Sequence, residues 1–110
     1  MKVKIPSDLK INIDTYNLIF KPELAIDTGF DGDCHRRLRQ IRIDPCQHDS
    51  EKYKTLIHEW LEAGKYVYKY DIEHEDYDRI ANCMAELFYN NLGVEFDWSG
   101  IKQETGERGT

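Results

Sequence analysis

The first half of the chain alternates apolar and polar residues. The alternation runs through 2–5, 9–13 and 38–44, and residues 16–20 are predicted to extend the second of these segments. A period of two residues places every second side chain on one face of a strand, so each segment is predicted to be a β-strand. Pro45 ends the third strand, because proline cannot donate a ladder hydrogen bond. Residues 27–33 hold two glycines and three aspartates, which predicts a turn-rich connector in which Gly29 and Gly32 take positive φ.

The second half repeats apolar residues every three or four positions, which is typical of helices. The first predicted helix starts at Ser50, a suitable N-cap, and ends within 69–71. Its apolar positions are Tyr53, Leu56, Ile57, Trp60, Leu61, Val67 and Tyr68.

A second helix is predicted to start from Asp71, which serves as its cap, and to stop at Gly93. The residues predicted for its buried face are Ile80, Cys83, Met84, Leu87 and Phe88. Phe96 and Trp98 follow and are expected to pack back on the body of the domain.

These elements predict an α+β fold, with a small antiparallel or mixed sheet of three to four strands followed by a two-helix hairpin. The chain has 110 residues, of which 40% are hydrophobic, and this is enough for one core of modest size. We therefore expect a single domain over 1–101. Residues 102–110 carry no apolar anchor and are predicted to be a flexible tail.

Charge and cysteine content exclude several classes of protein. The net charge is −6 without a basic stripe, so a nucleic-acid partner is not expected. The sequence has no apolar run near the length of a membrane span, and it turns polar before a signal peptide could form, so no membrane association is expected. The three cysteines are too few for a secreted disulfide framework. These features predict a cytoplasmic protein, in the host cytoplasm if the protein is viral.

The segment that indicates chemistry is Thr55–Ala63, with sequence TLIHEWLEA. His58 and Glu62 are four residues apart on a helix, so their side chains lie together and can chelate one cation. This spacing matches the zinc-peptidase motif HExxH with glutamate in place of the second histidine. In that scheme the intervening residue, Glu59, accepts a proton from metal-bound water. Zinc accepts carboxylate oxygen, and two histidines with one glutamate form a common catalytic ligand set.

Two residues are candidates for the third ligand. A short hairpin brings His74, near the start of the second helix, back toward the first helix. Asp78 lies one turn later and takes this place if the hairpin is strictly antiparallel. The ion itself is predicted to be Zn²⁺ or another divalent transition metal, because a site without thiolates selects among these ions by affinity order.

The chain resembles a known family at these residues. The strand IRID at 41–44, the helix with TLIHExxEA, and the segment IEHxxYDRIANxMxxLFxNN that follows are similar to the small zincin-like proteins of phages and prophages. Those proteins are related to the ImmA/IrrE and SprT-like metallopeptidases. The similarity covers roughly residues 10–92, including Gly32–Cys34, and this chain departs from the family's HExxH by having HExxE.

The resemblance implies a minimal zincin-like domain with a metal on His58, Glu62 and His74, a general base at Glu59, and a peptide or protein as substrate or partner. It therefore favours a metal-dependent hydrolase of metallopeptidase type. The alternative is a catalytically degenerate zincin scaffold that acts as a metal-binding or protein-binding phage accessory protein. The replacement of histidine by Glu62 and the short chain keep this alternative open.

Two further interpretations compete with the metal site. His58, Glu59 and Glu62 could instead form a solvated helix face with ordinary surface pairs. The pairs Cys34-His35 and Cys46-x-His48 bracket the third strand and offer a second, Cys₂His₂-type site. That site is disfavoured because adjacent strand residues point to opposite faces, so buried cysteines and exposed histidines are expected.

Overall fold

A computed structural model describes residues 1–104. Along them lie seven strands, three α-helices and one π-helical turn. The strands are β1 (Lys2–Lys4), β2 (Asp8–Ile11), β3 (Asp14–Phe20), β4 (Gly32–His35), β5 (Gln40–Ile43), β6 (Glu95–Asp97) and β7 (Lys102–Gln103). The helices are α1 (Leu24–Thr28), α2 (Asp49–Tyr68) and α3 (His74–Ala85), and α3 continues into the π-helical turn Glu86–Asn91.

Five of the strands form one mixed sheet. Its order is β2-β3-β5-β4, and β7 also pairs with β3. The β2/β3 and β4/β5 pairs are antiparallel, whereas β3 runs parallel to β5 and to β7. β1 and β6 form a separate parallel pair. The α+β class and the mixed sheet are thus confirmed, while the predicted count of three to four strands is too low.

The predicted extension of the second strand through 16–20 is wrong, because the chain reverses between β2 and β3. Asn12 has a left-handed backbone with φ 57°, and Ile13 at the tip of the turn is 91% exposed. Asparagine tolerates this conformation better than most residues. The two segments therefore pair with each other as a hairpin, with Leu9 opposite Tyr16.

The predicted connector at 27–33 is also more regular than expected, because it contains the end of α1 and the start of β4. Gly29 has φ 80°, as predicted. Gly32 instead lies within β4, and it is glycine because α2 approaches closely. A Cβ there would lie 2.5 Å from Thr55 Cγ2 and 3.0 Å from the Arg42 carbonyl oxygen.

The core lies between the sheet and α2, and the alternation that predicted the strands also defines it. Buried side chains on the sheet are Leu9, Ile11, Tyr16, Leu18, Phe20, Ile41 and Ile43, and those of α2 include Tyr53, Leu56, Ile57 and Ala63. Trp60 was predicted on this face but is 43% exposed. Trp98 is buried and lies near Phe20, with ring centroids 6.1 Å apart.

The bounds of the two long helices differ from those predicted. The N-caps are His48 and Glu73 rather than Ser50 and Asp71, and neither makes a side-chain capping bond. α2 ends at Tyr68, and its C-cap Lys69 has φ 57°, in agreement with the predicted end within 69–71.

The buried face of α3 also differs from the prediction. It consists of Tyr77, Ala81 and Ala85, while Cys83 and Leu87 are exposed. Because two of the three buried side chains are methyl groups, α3 can pack closely on α2 there.

Ordered structure continues past the predicted domain boundary at 101. β7 pairs with β3 at Ile19 and Phe20, and the Glu104 amide donates a hydrogen bond of 2.8 Å to the Phe20 carbonyl. The tail predicted over 102–110 therefore begins with a strand, and its last six residues, 105–110, lie outside the described residues. Among the described residues, no helix combines the length and the apolar character that a membrane crossing requires.

Candidate metal centre

α2 and α3 bring together the three residues predicted to bind a metal. His58 and Glu62 project from α2, and His74 is the first residue of α3. One potential ligand atom from each residue lies within 4.8 Å of the other two. His74 Nδ1 is 3.3 Å from Glu62 Oε1, and the two imidazole centroids are 4.8 Å apart. The connection 69–73 between the helices thus turns the start of α3 toward the middle of α2.

The donor set suits a zinc ion. Zinc bonds of about 2.1 Å place tetrahedral ligands about 3.4 Å apart, which the His74–Glu62 pair already approaches. The His74 side chain is 71% exposed, so it has room to rotate toward the other two potential ligands. Two neutral imidazoles and one carboxylate also give the ligand charge of ordinary His₂Glu sites. The residues therefore fit a divalent ion with one coordination position left open.

Asp78, the other candidate for third ligand, is outside this group. Its Oδ1 lies 2.8 Å from His58 Nδ1. This contact leaves the other ring nitrogen of His58, Nε2, free to bind a metal ion. A carboxylate on the second nitrogen of a metal-binding histidine fixes the tautomer and the ring orientation. Asp78 thus contacts His58, while His74 lies within the group of potential ligand atoms.

Glu59 is buried beside β4. It is 8% exposed, and its Cγ lies 3.3 Å from where a Gly32 side chain would begin. No hydrogen bond or ion pair joins its carboxyl to another of the residues in 1–104. Burial, and then the nearby Glu62, Asp33 and Asp78 carboxylates, raise the pKa of Glu59 from 4.5 to about 8.

This burial argues against the alternative of a solvated helix face. The His58 side chain is only 14% exposed and that of Glu62 is 28% exposed. Together with buried Glu59, these residues face a cleft of about 700 Å³ between β4, α2 and α3. Further lining residues of the cleft are Phe30, Asp31, Cys34, Lys54, Thr55 and Asn82.

The sequence did not reveal the contribution of β4 to this cleft. Asp33 lies opposite Arg42 in the β4/β5 ladder, and the Arg42 guanidinium donates to both Asp33 oxygens at 2.8 and 2.5 Å. This pair neutralises a carboxylate close to Glu59. Asp33 and Arg42 are nine residues apart in the sequence, so their pairing could not be predicted before the register of β4 and β5 was known.

Cys34 also enters the cleft from β4. The thiol is half-buried, and burial, followed by the charges of Glu59 and Glu62, raises its pKa to about 12. Cys46 and Cys83 are exposed, so the prediction of buried cysteines is wrong for both. The residues of the disfavoured second site, Cys34, His35, Cys46 and His48, form no group of potential ligands within the described part of the chain.

Comparison with protein-family models, with curated proteins and with solved structures finds no match to this chain. The resemblance to zincin-like proteins therefore stays a prediction. Function has to be argued from the geometry of the cleft.

Proposed function

We propose that this protein is a metal-dependent hydrolase of peptidase type, with a divalent transition ion, preferentially zinc, on His58, Glu62 and His74. The observation that carries the proposal is the burial of Glu59 beside the candidate ligands. Glu59 is 8% exposed, its carboxyl group has no hydrogen-bond or ion-pair partner among the described residues, and it lies next to a His-Glu-His group and lines the same cleft. Burial of a carboxylate without a partner costs stability, so its presence beside these ligands favours a functional role for it.

The residues have a consistent division of labour in hydrolysis. A bound zinc ion supplies an activated water and polarises a carbonyl group. Glu59 accepts the proton of the attacking water and passes it to the leaving amine. Asp78 holds the His58 ring in place through Nδ1, and the Asp33–Arg42 pair holds β4 against β5 beside the cleft.

An extended peptide is the substrate that the sheet favours. Among the described strands, β4 pairs only with β5, so β4 is an edge strand of the sheet. Its residues Gly32, Asp33 and Cys34 line the cleft. The backbone groups of an edge strand can pair with an extended chain, which gives affinity without dependence on sequence. A peptide bond held along this edge would lie beside Glu59.

Metal content is the first test. We expect one equivalent of zinc in the full-length protein expressed with zinc, measured by elemental analysis after gel filtration, and a loss of zinc in His58→Ala and His74→Ala. His35→Ala is the matched control, because His35 is exposed and outside the group of ligands. A native protein without stoichiometric metal would overturn the proposal.

Glu59→Gln then separates catalysis from metal binding. We expect this variant to keep its zinc and to lose hydrolysis of a fluorogenic peptide pool. If native protein binds zinc and hydrolyses none of the peptides, the degenerate scaffold is the correct interpretation. If Glu59→Gln hydrolyses peptides at the native rate, Glu59 is not the base.

A further inference from the structure

The cleft has an excess of acidic side chains. The six carboxylates that line it belong to Asp31, Asp33, Glu51, Glu59, Glu62 and Asp78, whereas Lys54 supplies the one lysine or arginine charge among its described lining residues. Such an excess gives a negative potential that a low-dielectric cleft concentrates. The cleft is therefore unsuited to acidic ligands.

Four of the six carboxylates already have partners within the protein. Asp33 pairs with Arg42 at 2.5 Å and Glu51 with Lys54 at 3.2 Å. Glu62 and Asp78 contact the two histidines of the candidate metal centre, His74 and His58. These contacts leave two carboxylates to account for.

Those two are Asp31 and Glu59, neither of which has an ion pair among residues 1–104. Glu59 is 8% exposed, lines the cleft and has the role of general base in the proposed function. Asp31 lies on the strand side of the cleft and is exposed. With Glu59 and Glu62 balancing the two charges of a divalent ion, the negative charges of Asp31 and Asp78 stay unbalanced. The Asp78 carboxylate contacts His58, so Asp31 is the one of these two without a partner among residues 1–104.

Asp31 directly follows an exposed aromatic residue in the chain. Phe30 is 68% exposed and lines the same cleft. Backbone hydrogen bonds position both residues: the Asp31 carbonyl accepts from the Asp44 amide at 2.8 Å, and the Phe30 amide donates to Thr28 Oγ1 at 3.1 Å. An exposed ring and a carboxylate in the same cleft suit an arginine side chain, whose apolar stem packs on a ring while its guanidinium pairs with a carboxylate.

We propose, on the basis of the function inferred above, that the substrate is a peptide with an arginine near the bond to be cleaved. The arginine stem packs across Phe30 and its guanidinium pairs with Asp31. The residues that select the substrate would then be Phe30 and Asp31 in the loop before β4, rather than the ligands of the metal centre.

The test measures peptide binding without turnover. Seven-residue alanine-based peptides with a fluorescent label carry arginine, citrulline or glutamate at one position, scanned along the peptide. Anisotropy titrations use the full chain with Glu59→Gln, both zinc-loaded and after chelation. We expect one position of the scan at which the arginine peptide binds about three- to fivefold more tightly than the citrulline peptide, as for a partly exposed charge pair. The glutamate peptide should bind most weakly at that position.

Asp31→Asn should reduce the preference for arginine over citrulline to near unity. Asp27→Asn is the matched control: it removes the same charge from an exposed residue in α1 that is outside the cleft lining, and it should keep the preference. Phe30→Ala should reduce the affinity for the arginine and citrulline peptides together. Equal affinity for arginine and citrulline at every position, or an unchanged preference in Asp31→Asn, would overturn the inference.

The two experiments distinguish a failure of this inference from a failure of the proposed function. An arginine preference that persists after chelation, in a protein that hydrolyses nothing, supports arginine binding by Phe30 and Asp31 and contradicts the hydrolase. Hydrolysis of arginine and citrulline peptides at equal rates supports the hydrolase and contradicts this inference.

Discussion

His58 Nδ1 on α2 lies 2.8 Å from Asp78 Oδ1 on α3. The bond spans the two helices that carry the candidate ligands, and the Asp78 side chain itself is 66% exposed. The His58 ring is also held edge-on by His74 and Tyr77, with centroid distances of 4.8 and 5.5 Å. His58 is therefore oriented before any ion binds, which lowers the cost of ordering the site.

Removal of this orienting carboxylate should weaken metal binding. We expect Asp78→Ala to lower zinc affinity by about 10- to 100-fold, the usual effect of losing a carboxylate on a ligand histidine. Competition with a zinc-binding dye at neutral pH measures the affinity. Asp76→Ala removes a carboxylate that pairs with Arg79 on the same helix, and its zinc affinity should equal that of the native protein. Equal affinities in both variants would contradict the role assigned to Asp78.

The metal-free protein should lose stability as pH rises because of Glu59. Its pKa is raised from 4.5 to about 8, mainly by burial. Between these values the unfolded chain releases the proton while the folded chain keeps it, so the free energy of unfolding falls with increasing pH. Glu59→Gln stays neutral and should be more stable than native protein at pH 8.5 by a few kcal/mol.

Urea denaturation of chelator-treated protein at pH 5 and pH 8.5 measures this difference. Glu86→Gln is the control, because Glu86 is exposed at the end of α3 and its substitution should leave the pH dependence unchanged. If native protein and Glu59→Gln lose stability in parallel, Glu59 is not the group responsible.

The part of the site on α2 was predictable because helical spacing is local. His58 and Glu62 need only be four residues apart in a helix to share a face. His74 followed from the assumption of a short hairpin, but the choice between His74 and Asp78 depended on the connection at 69–73. Lys69 takes a left-handed backbone there, a conformation that its residue type does not favour.

The strand side of the cleft was not predictable from pattern. β4 has the sequence GDCH, without an apolar alternation, and it is a strand because it pairs with β5. The burial of Glu59 has the same origin, since the absence of a side chain at Gly32 leaves room for Thr55 and Glu59 of α2. Trp60 shows the converse, because it was predicted in the core and is 43% exposed.

Gly32→Ala should therefore disturb the site as well as the fold. The new Cβ would lie 2.5 Å from Thr55 Cγ2 and 3.0 Å from the Arg42 carbonyl oxygen, so the Thr55 side chain or the helix that carries it must shift. We expect a loss of about 1–3 kcal/mol in the free energy of unfolding, the usual cost of overpacking. Adding Thr55→Ser removes the methyl group and should restore part of the loss. Urea denaturation measures both variants, and native stability in Gly32→Ala would contradict the close approach.

Cysteine reactivity of the metal-free protein checks the electrostatics of the cleft without any substrate. Burial and the neighbouring Glu59 and Glu62 carboxylates raise the pKa of Cys34 to about 12, whereas Cys46 and Cys83 are exposed. Because the thiolate is the reacting species, iodoacetamide at pH 8 should modify Cys46 and Cys83 well before Cys34. Mass spectrometry of proteolytic peptides over a time course measures the three rates. In guanidinium the three rates should converge, since unfolding removes the burial and separates the charges. A Cys34 that reacts in the folded protein as fast as Cys46 would show that the thiol is neither buried nor surrounded by negative charge.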